Sequence, residues 1–313
     1  MEKGERKKLF ANLRYDLQKH KFLLLLCLPA LLWFLLFAYV PLIGLVIAFQ
    51  RFSPARGLLG SQFIGLLNFK FFFGSEAFYR VTFNTLFLNV LFIASGMTTS
   101  IIIAIALSEI KFRPYKRVTQ SIVILPHFIS WTVVGLLCEG FFTVDRGLIN
   151  NILRTFGAKP IPFYQIAAIW PGVLASLSVW SGAGYGSIVY LATITGFDKE
   201  IFEAARIDGA SRLQCLWYLT LPMLRPTATI LLLMSVGRIF NGNFGMIYSL
   251  IGNNTMLLRT TDIIDTYVYR QLMEATNIGM SSAVGLYQSI MGFIMVISVN
   301  TLARKLDSDS ALF

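Results

Sequence analysis

The chain has 313 residues, of which 56% are hydrophobic and only 14% charged, and its mean hydropathy is +0.66. A soluble domain carries about a quarter charged residues, so the composition excludes that class and points to a polytopic membrane protein. The net charge of +11 does not signal nucleic acid, because the basic residues flank apolar runs, where they act as topology signals and contact membrane lipid headgroups.

Residues 1–21 carry Lys3, Arg6, Lys7, Lys8, Arg14, Lys19 and Lys21 in an amphipathic pattern that predicts a cytoplasmic segment lying along the headgroups. A secretory signal is the competing reading. Against it, the apolar run from Phe22 is too long and no small-x-small cleavage site closes it. A first span is expected over 22–49, with Pro41 kinking its outer end, followed by an external loop over 50–80 rich in Gly and Phe. A second span follows over 84–108, then the basic loop Lys111, Arg113, Lys116 and Arg117. The third, 118–142, is interrupted at Leu125-Pro126-His127-Phe128, and an external stretch 143–165 includes an amphipathic piece over 147–156.

The fourth span, 166–192, holds the small-residue cluster Ser181, Gly182, Ala183, Gly184, Gly186 and Ser187. It mimics a dinucleotide fingerprint but follows no strand, and reads as close helix packing in lipid. A fifth span is expected over 227–250 and a sixth over 283–302, separated by an external segment 252–282. The transmembrane unit thus covers 22–305, with a tail at 306–313. The fold class is an all-α membrane protein of about six transmembrane helices. Lys and Arg crowd the N-terminal segment and the loops at 109–117 and 304–305, which places both termini in the cytoplasm.

Between the fourth and fifth spans lies the long polar stretch 198–222. Asp198 is placed to cap a first short helix, Asp208-Gly209 forms a turn, and Ser211 with Gln214 has capping-box spacing for a second helix ending before Pro222. Three scattered cysteines, Cys27, Cys138 and Cys215, make neither a disulfide framework nor a zinc site.

Glu203-Ala204-Ala205, three residues, Gly209, nine residues, then Leu219-Thr220-Leu221-Pro222 resembles the "EAA" coupling loop of binding-protein-dependent ABC import permeases. Leu125-Pro126-His127-Phe128-Ile129-Ser130-Trp131, Gly186-Ser187-Ile188-Val189-Tyr190-Leu191-Ala192, Ile264-Asp265-Thr266-Tyr267-Val268-Tyr269-Arg270 and Ala283-Val284-Gly285-Leu286 resemble the LplB-type carbohydrate branch. The resemblance implies the type I ABC importer permease fold in the bacterial cytoplasmic membrane. It also implies a second homologous permease, two ATP-binding subunits, an extracytoplasmic solute-binding protein and an oligosaccharide or polysaccharide cargo. The residues expected to couple to the ATPase are Glu203, Ala204, Ala205, Asp208, Gly209, Leu219, Leu221 and Pro222. The two alanines offer a flat face for close approach, Glu203 accepts charge-assisted hydrogen bonds, and the leucines anchor the second helix. No Gly-x-x-x-x-Gly-Lys-Ser/Thr occurs, so this chain binds no cofactor and ATP-Mg belongs on the partner subunits. One departure from the branch is Ala183-Gly184-Tyr185-Gly186, where a tryptophan is expected between the glycines.

Arg238, Asn241 and Asn243 fall near the middle of the expected fifth span. Polar groups there either line a translocation pathway or bond neighbouring helices. His127 and Trp131, four residues apart, could share a helix face on the same path, or His127 could satisfy a carbonyl freed by Pro126. Trp180 and Tyr185 are candidate sugar-stacking rings, with packing as the plainer role. Glu139 is read as reaching outer water. An ion-coupled transporter or channel is the alternative, disfavoured because the spans are otherwise nearly free of carboxylates. Asp262 and Asp265 fit a capped, solvated helix face. With only His20 and His127, an enzyme lacks its groups.

Overall fold

The computed structural model describes residues 19–306. All but the last three residues of the expected N-terminal segment, and all but the first residue of the tail, lie outside that range.

Helix α1, Lys21–Phe34, continues as a π-helical turn, Leu35–Tyr39, and a 3-10 stretch, Val40–Phe49. The winding changes just before Pro41, which cannot donate to the ladder. Phe22, Leu26, Trp33, Phe37 and Ile43 on this rod are all exposed, and only its end packs inward, at Ala48. The loop beyond it contains a two-residue ladder, Gln50 opposite Phe63 and Arg51 opposite Gln62, and a short helix Leu67–Phe73.

Helix α2, Glu76–Glu109, has 34 residues, about 50 Å at 1.5 Å per residue, and so outruns a 30 Å hydrocarbon core. It packs along α6, Trp170–Thr195. Between them come α3, Arg113–Ile124, a 3-10 turn at Leu125–Phe128, α4, Trp131–Phe142, and α5, Leu148–Thr155. The expected third span is therefore bent by 92° at Ile129-Ser130. Ser130 caps the new helix by accepting from the Val133 amide at 3.4 Å. Close packing explains the small residues of α6: a Cβ on Gly184 would collide with the Val123 carbonyl of α3, and the Ser100 hydroxyl of α2 donates to the Ala183 carbonyl at 3.1 Å.

After α7, Lys199–Ile207, and α8, Arg212–Cys215, the chain does not stop at Pro222 as expected. It winds through a π turn, Leu216–Thr220, into α9, Leu221–Gly237, making one continuous helical run from Arg212. Pro222 and Pro226 are both carried inside this run, and the π turn just before Pro222 changes the winding where a proline cannot donate. The expected fifth span, 227–250, is instead broken at 238–243, and α10, Phe244–Ile251, resumes beyond the break against α4. Helices α11, Ile264–Met273, and α12, Ile278–Leu306, complete the bundle and pack on each other. Among the described residues four helical runs are long and apolar enough to cross a membrane, or five if the bent α3–α4 pair counts as one. The 26-residue α6 has the length, but its serines and glycines dilute its apolarity.

The solvated reading of Asp262 and Asp265 is wrong. Asp262 is 0% exposed and accepts from Arg270 at 2.6 and 2.7 Å, from Arg80 at 3.2 and 3.3 Å and from Thr266 at 2.9 Å. Helix α2 adds Asn84, donating to the Asp262 and Arg259 carbonyls, and Thr85, accepting from the Ile264 amide. Asp265 accepts from the Gly242 amide at 2.9 Å and from Gln288 at 3.1 Å. Both carboxylates are joints between elements, and a buried charge is tolerable only when partnered in this way.

Candidate functional site

The polar stretch folds as its sequence predicts at the first level. Asp198 accepts from the Glu200 amide at 3.0 Å and starts α7. Gly209, at φ +83°, closes it with the Gly209 amide donating to Arg206 at 3.1 Å and the Ala210 amide donating to Ala205 at 2.9 Å. The capping box at α8 is complete: Ser211 Oγ accepts from the Gln214 amide at 3.3 Å, and Gln214 returns an acceptor to the Ser211 amide at 2.8 Å.

Glu203, Ala204, Asp208 and Gly209 are exposed, and Ala205 is half-buried. Glu203 lines a cleft of about 760 Å³ with Arg206 and Arg212, closed above by the ends of α2 and α6 at Glu109 and Phe197. Phe197 stacks on Phe202 with rings 14° apart, tying α7 to the end of α6. Leu219 and Leu221 are only half-buried, and Pro222 is exposed. The fuller anchors are Cys215 and, above all, Leu224, 1% exposed and packed with Ala104, Leu107, Tyr190 and Leu191. Sequence reasoning missed Leu224 because the expected stop at Pro222 hid the continuity of the helix. The stretch 199–220 leaves large apolar groups uncovered: Ile207 is 87% exposed and Tyr218 76%, and Leu213 and Trp217 are exposed as well.

The candidate pathway residues separate into two groups. His127 and Tyr185 meet, their rings stacked at 4.3 Å and 8°, and both are exposed, as is Trp180. Trp131 does not share their face. Beyond the bend at Ile129-Ser130 it packs, half-buried, against the core that includes Val134, Met246 and Ile247. Asn243 is spent as the cap of α10, accepting from the Met246 amide at 3.0 Å. Asn241 is exposed, its amide closing a turn on the Arg238 carbonyl at 2.8 Å. Arg238, the residue after α9, is exposed. Glu139 is exposed near the end of α4, beside Tyr164 and Tyr248. The break that gathers Arg238, Asn241 and Asn243 is held by Gln288, which donates to the Phe240 carbonyl at 2.8 Å, and by Asp265. A glycine flanked by asparagines in an apolar run was the available sign of this break.

Residues 96–308 match the model of the family described as "binding-protein-dependent transport system inner membrane component". The chain is 36% identical to protein LplB of Bacillus subtilis over 94% of its own length and 92% of that protein's. It is 37% identical to the polygalacturonan/rhamnogalacturonan transport system permease YteP of the same organism, over 97% and 93%. Crystal structures of a bacterial ABC transporter importing the acidic polysaccharide alginate hold a chain 32% identical, superposing with a TM-score of 0.85 over 95% of this chain and 99% of that one. The same fold is found, at a TM-score of 0.83, in a complex with a periplasmic protein bound to alginate pentasaccharide; it covers 93% and 97% at 32% identity. With its exposed helix pair, its broken spans and its type I permease fold, the chain belongs to the family of binding-protein-dependent ABC transport permeases.

Proposed function

We propose that this permease imports an oligosaccharide or polysaccharide fragment across the bacterial cytoplasmic membrane, by alternating access driven by ATP hydrolysis on two separate subunits. A second, homologous permease completes the pathway, and a solute-binding protein delivers cargo to the outer segments 50–80, 143–165 and 252–282. Both termini lie in the cytoplasm, on the side of the 198–222 loop. ATP-Mg stays on the partner subunits. The sugar class rests on the relatives, which transport polygalacturonan, rhamnogalacturonan and alginate by their names.

The observation that supports coupling is the α7–α8 pair: two capped helices at a glycine turn, exposed on the side that carries Glu203, Ala204, Ile207 and Leu213, and continuous with a membrane helix through α9. A groove on an ATPase that grips the pair would move α9 as a lever, because α8 runs into α9 as one helical stretch, Arg212–Gly237. Closure of the ATPases opens the outward path and hydrolysis resets the inward state.

The test is uptake in the reconstituted complex. Glu203→Lys and Gly209→Pro are each expected to reduce both sugar uptake and binding-protein-stimulated ATP hydrolysis by more than ten-fold, while the chain still inserts in the membrane. Uptake at the wild-type rate removes the coupling role of the loop.

A further inference from the structure

The break after α9 leaves one cation with an unmet need. Arg238 follows Gly237 and faces an open cleft of about 480 Å³ whose walls include Phe92, Met97, Ser100, Tyr190 and Ser235. Phe92 and Met97 lie in the middle of α2, which runs from Glu76 to Glu109; Phe92 is about 24 Å along the helix from its start, at 1.5 Å per residue. The cleft is therefore at membrane depth, where an ionised side chain persists only if something pairs with it.

Among the described residues, no hydrogen bond or ion pair reaches the Arg238 guanidinium. The two carboxylates of the segment packed on the break are already committed. Asp262 holds Arg80 and Arg270, and Asp265 holds the Gly242 amide and Gln288. Both cleft serines donate to main-chain carbonyls, Ser100 to Ala183 at 3.1 Å and Ser235 to Leu231 at 2.8 Å. Their oxygens stay able to accept from a ligand hydroxyl, and the half-buried ring of Phe92 offers an apolar wall for a pyranose face.

A planar guanidinium with free N–H groups matches a carboxylate through two parallel hydrogen bonds and matches a neutral hydroxyl poorly. We infer that Arg238 is a specificity-determining residue that binds the carboxylate of an acidic sugar, so that the cargo is a uronate-containing oligosaccharide. This rests on the sugar-import reading above and adds the charge class and the residue that reads it.

The experiment uses the full complex in liposomes with its solute-binding protein. The probes are short oligogalacturonates and oligomannuronates and the same sugars with their carboxyl groups reduced. Binding-protein affinity is measured for each sugar first, and uptake is compared at saturation. The wild type is expected to import the acidic forms preferentially. Arg238→Gln should lower the acidic-to-neutral uptake ratio at least ten-fold, and Arg238→Lys, which keeps the charge but loses the fork, should fall between that variant and wild type. Equal loss of both sugars in the Gln variant overturns the inference. So does failure of that variant to assemble, since the guanidinium would then be pairing with the second permease. Import of neutral forms only also overturns it, while leaving sugar import standing. If no sugar of either charge is bound or moved, the import reading itself fails.

Discussion

Asp262 shows how far a single residue can depart from what its spacing suggests. An aspartate three residues from another on an amphipathic stretch reads as a solvated helix face, yet here it is fully buried between Arg80 and Arg270. Nothing local distinguishes the two cases, because the partner arginines lie 182 and 8 residues away. Replacing Asp262 with alanine leaves two guanidinium groups without their counter-charge, the costly way to break a buried pair, at about 3 kcal/mol. The purified complex is expected to unfold at a markedly lower temperature with Asp262→Ala, and an unchanged midpoint would show that the joint contributes nothing. Gly209 is the opposite case, since its φ of +83° follows from a turn that the sequence already announced.

At the scale of elements, the informative features are the two broken spans. Pro126 and the Gly242 neighbourhood are visible in the sequence, but a 92° bend and a six-residue break are not. Each break needs partners for its freed backbone groups, and those partners come from elsewhere: Asp265 of α11 and Gln288 of α12 serve the 238–243 break. Burial raises the Asp265 carboxyl above its ordinary value, outweighing the hydrogen bonds from Gln288 and Gly242 that favour the ionised form. A carboxyl raised on folding binds its proton more tightly in the native state. Its stabilising contribution is present below pH 3.8 and is lost as pH rises through the elevated folded value. The thermal midpoint of wild type relative to Asp265→Asn is therefore expected to fall with rising pH across that window. A difference that rises with pH would contradict the assignment.

For the molecule as a whole, the placement of exposed apolar surface matters more than the core. Ile207 on α7, Leu213 on α8 and Trp217 and Tyr218 on the π turn beyond are each exposed, whereas Leu224 and its neighbours are buried. Burying an isoleucine stabilises an interface by about 2 kcal/mol, roughly thirty-fold in affinity. Ile207→Asp is expected to weaken retention of the ATPase subunits by at least that factor, as measured by co-purification from membranes. Undiminished retention would place the docking surface elsewhere.

The class of molecule, most of its helices and the capped pair at 198–222 were determined by composition, apolar run length and local capping chemistry, all of which act over a few residues. The same local rules failed at Pro222, because the π turn at Leu216–Thr220 carries the winding on through the proline, and Leu224 packs in the core beyond it. The grouping of His127 with Tyr185, the packing of Trp131 against the core, the burial of Asp262 and, among the described residues, the lack of a partner for the Arg238 guanidinium were decided by the tertiary structure alone. Each depends on which distant helix arrives as a neighbour, and burial and ion pairing are properties of that arrangement and not of any stretch of chain.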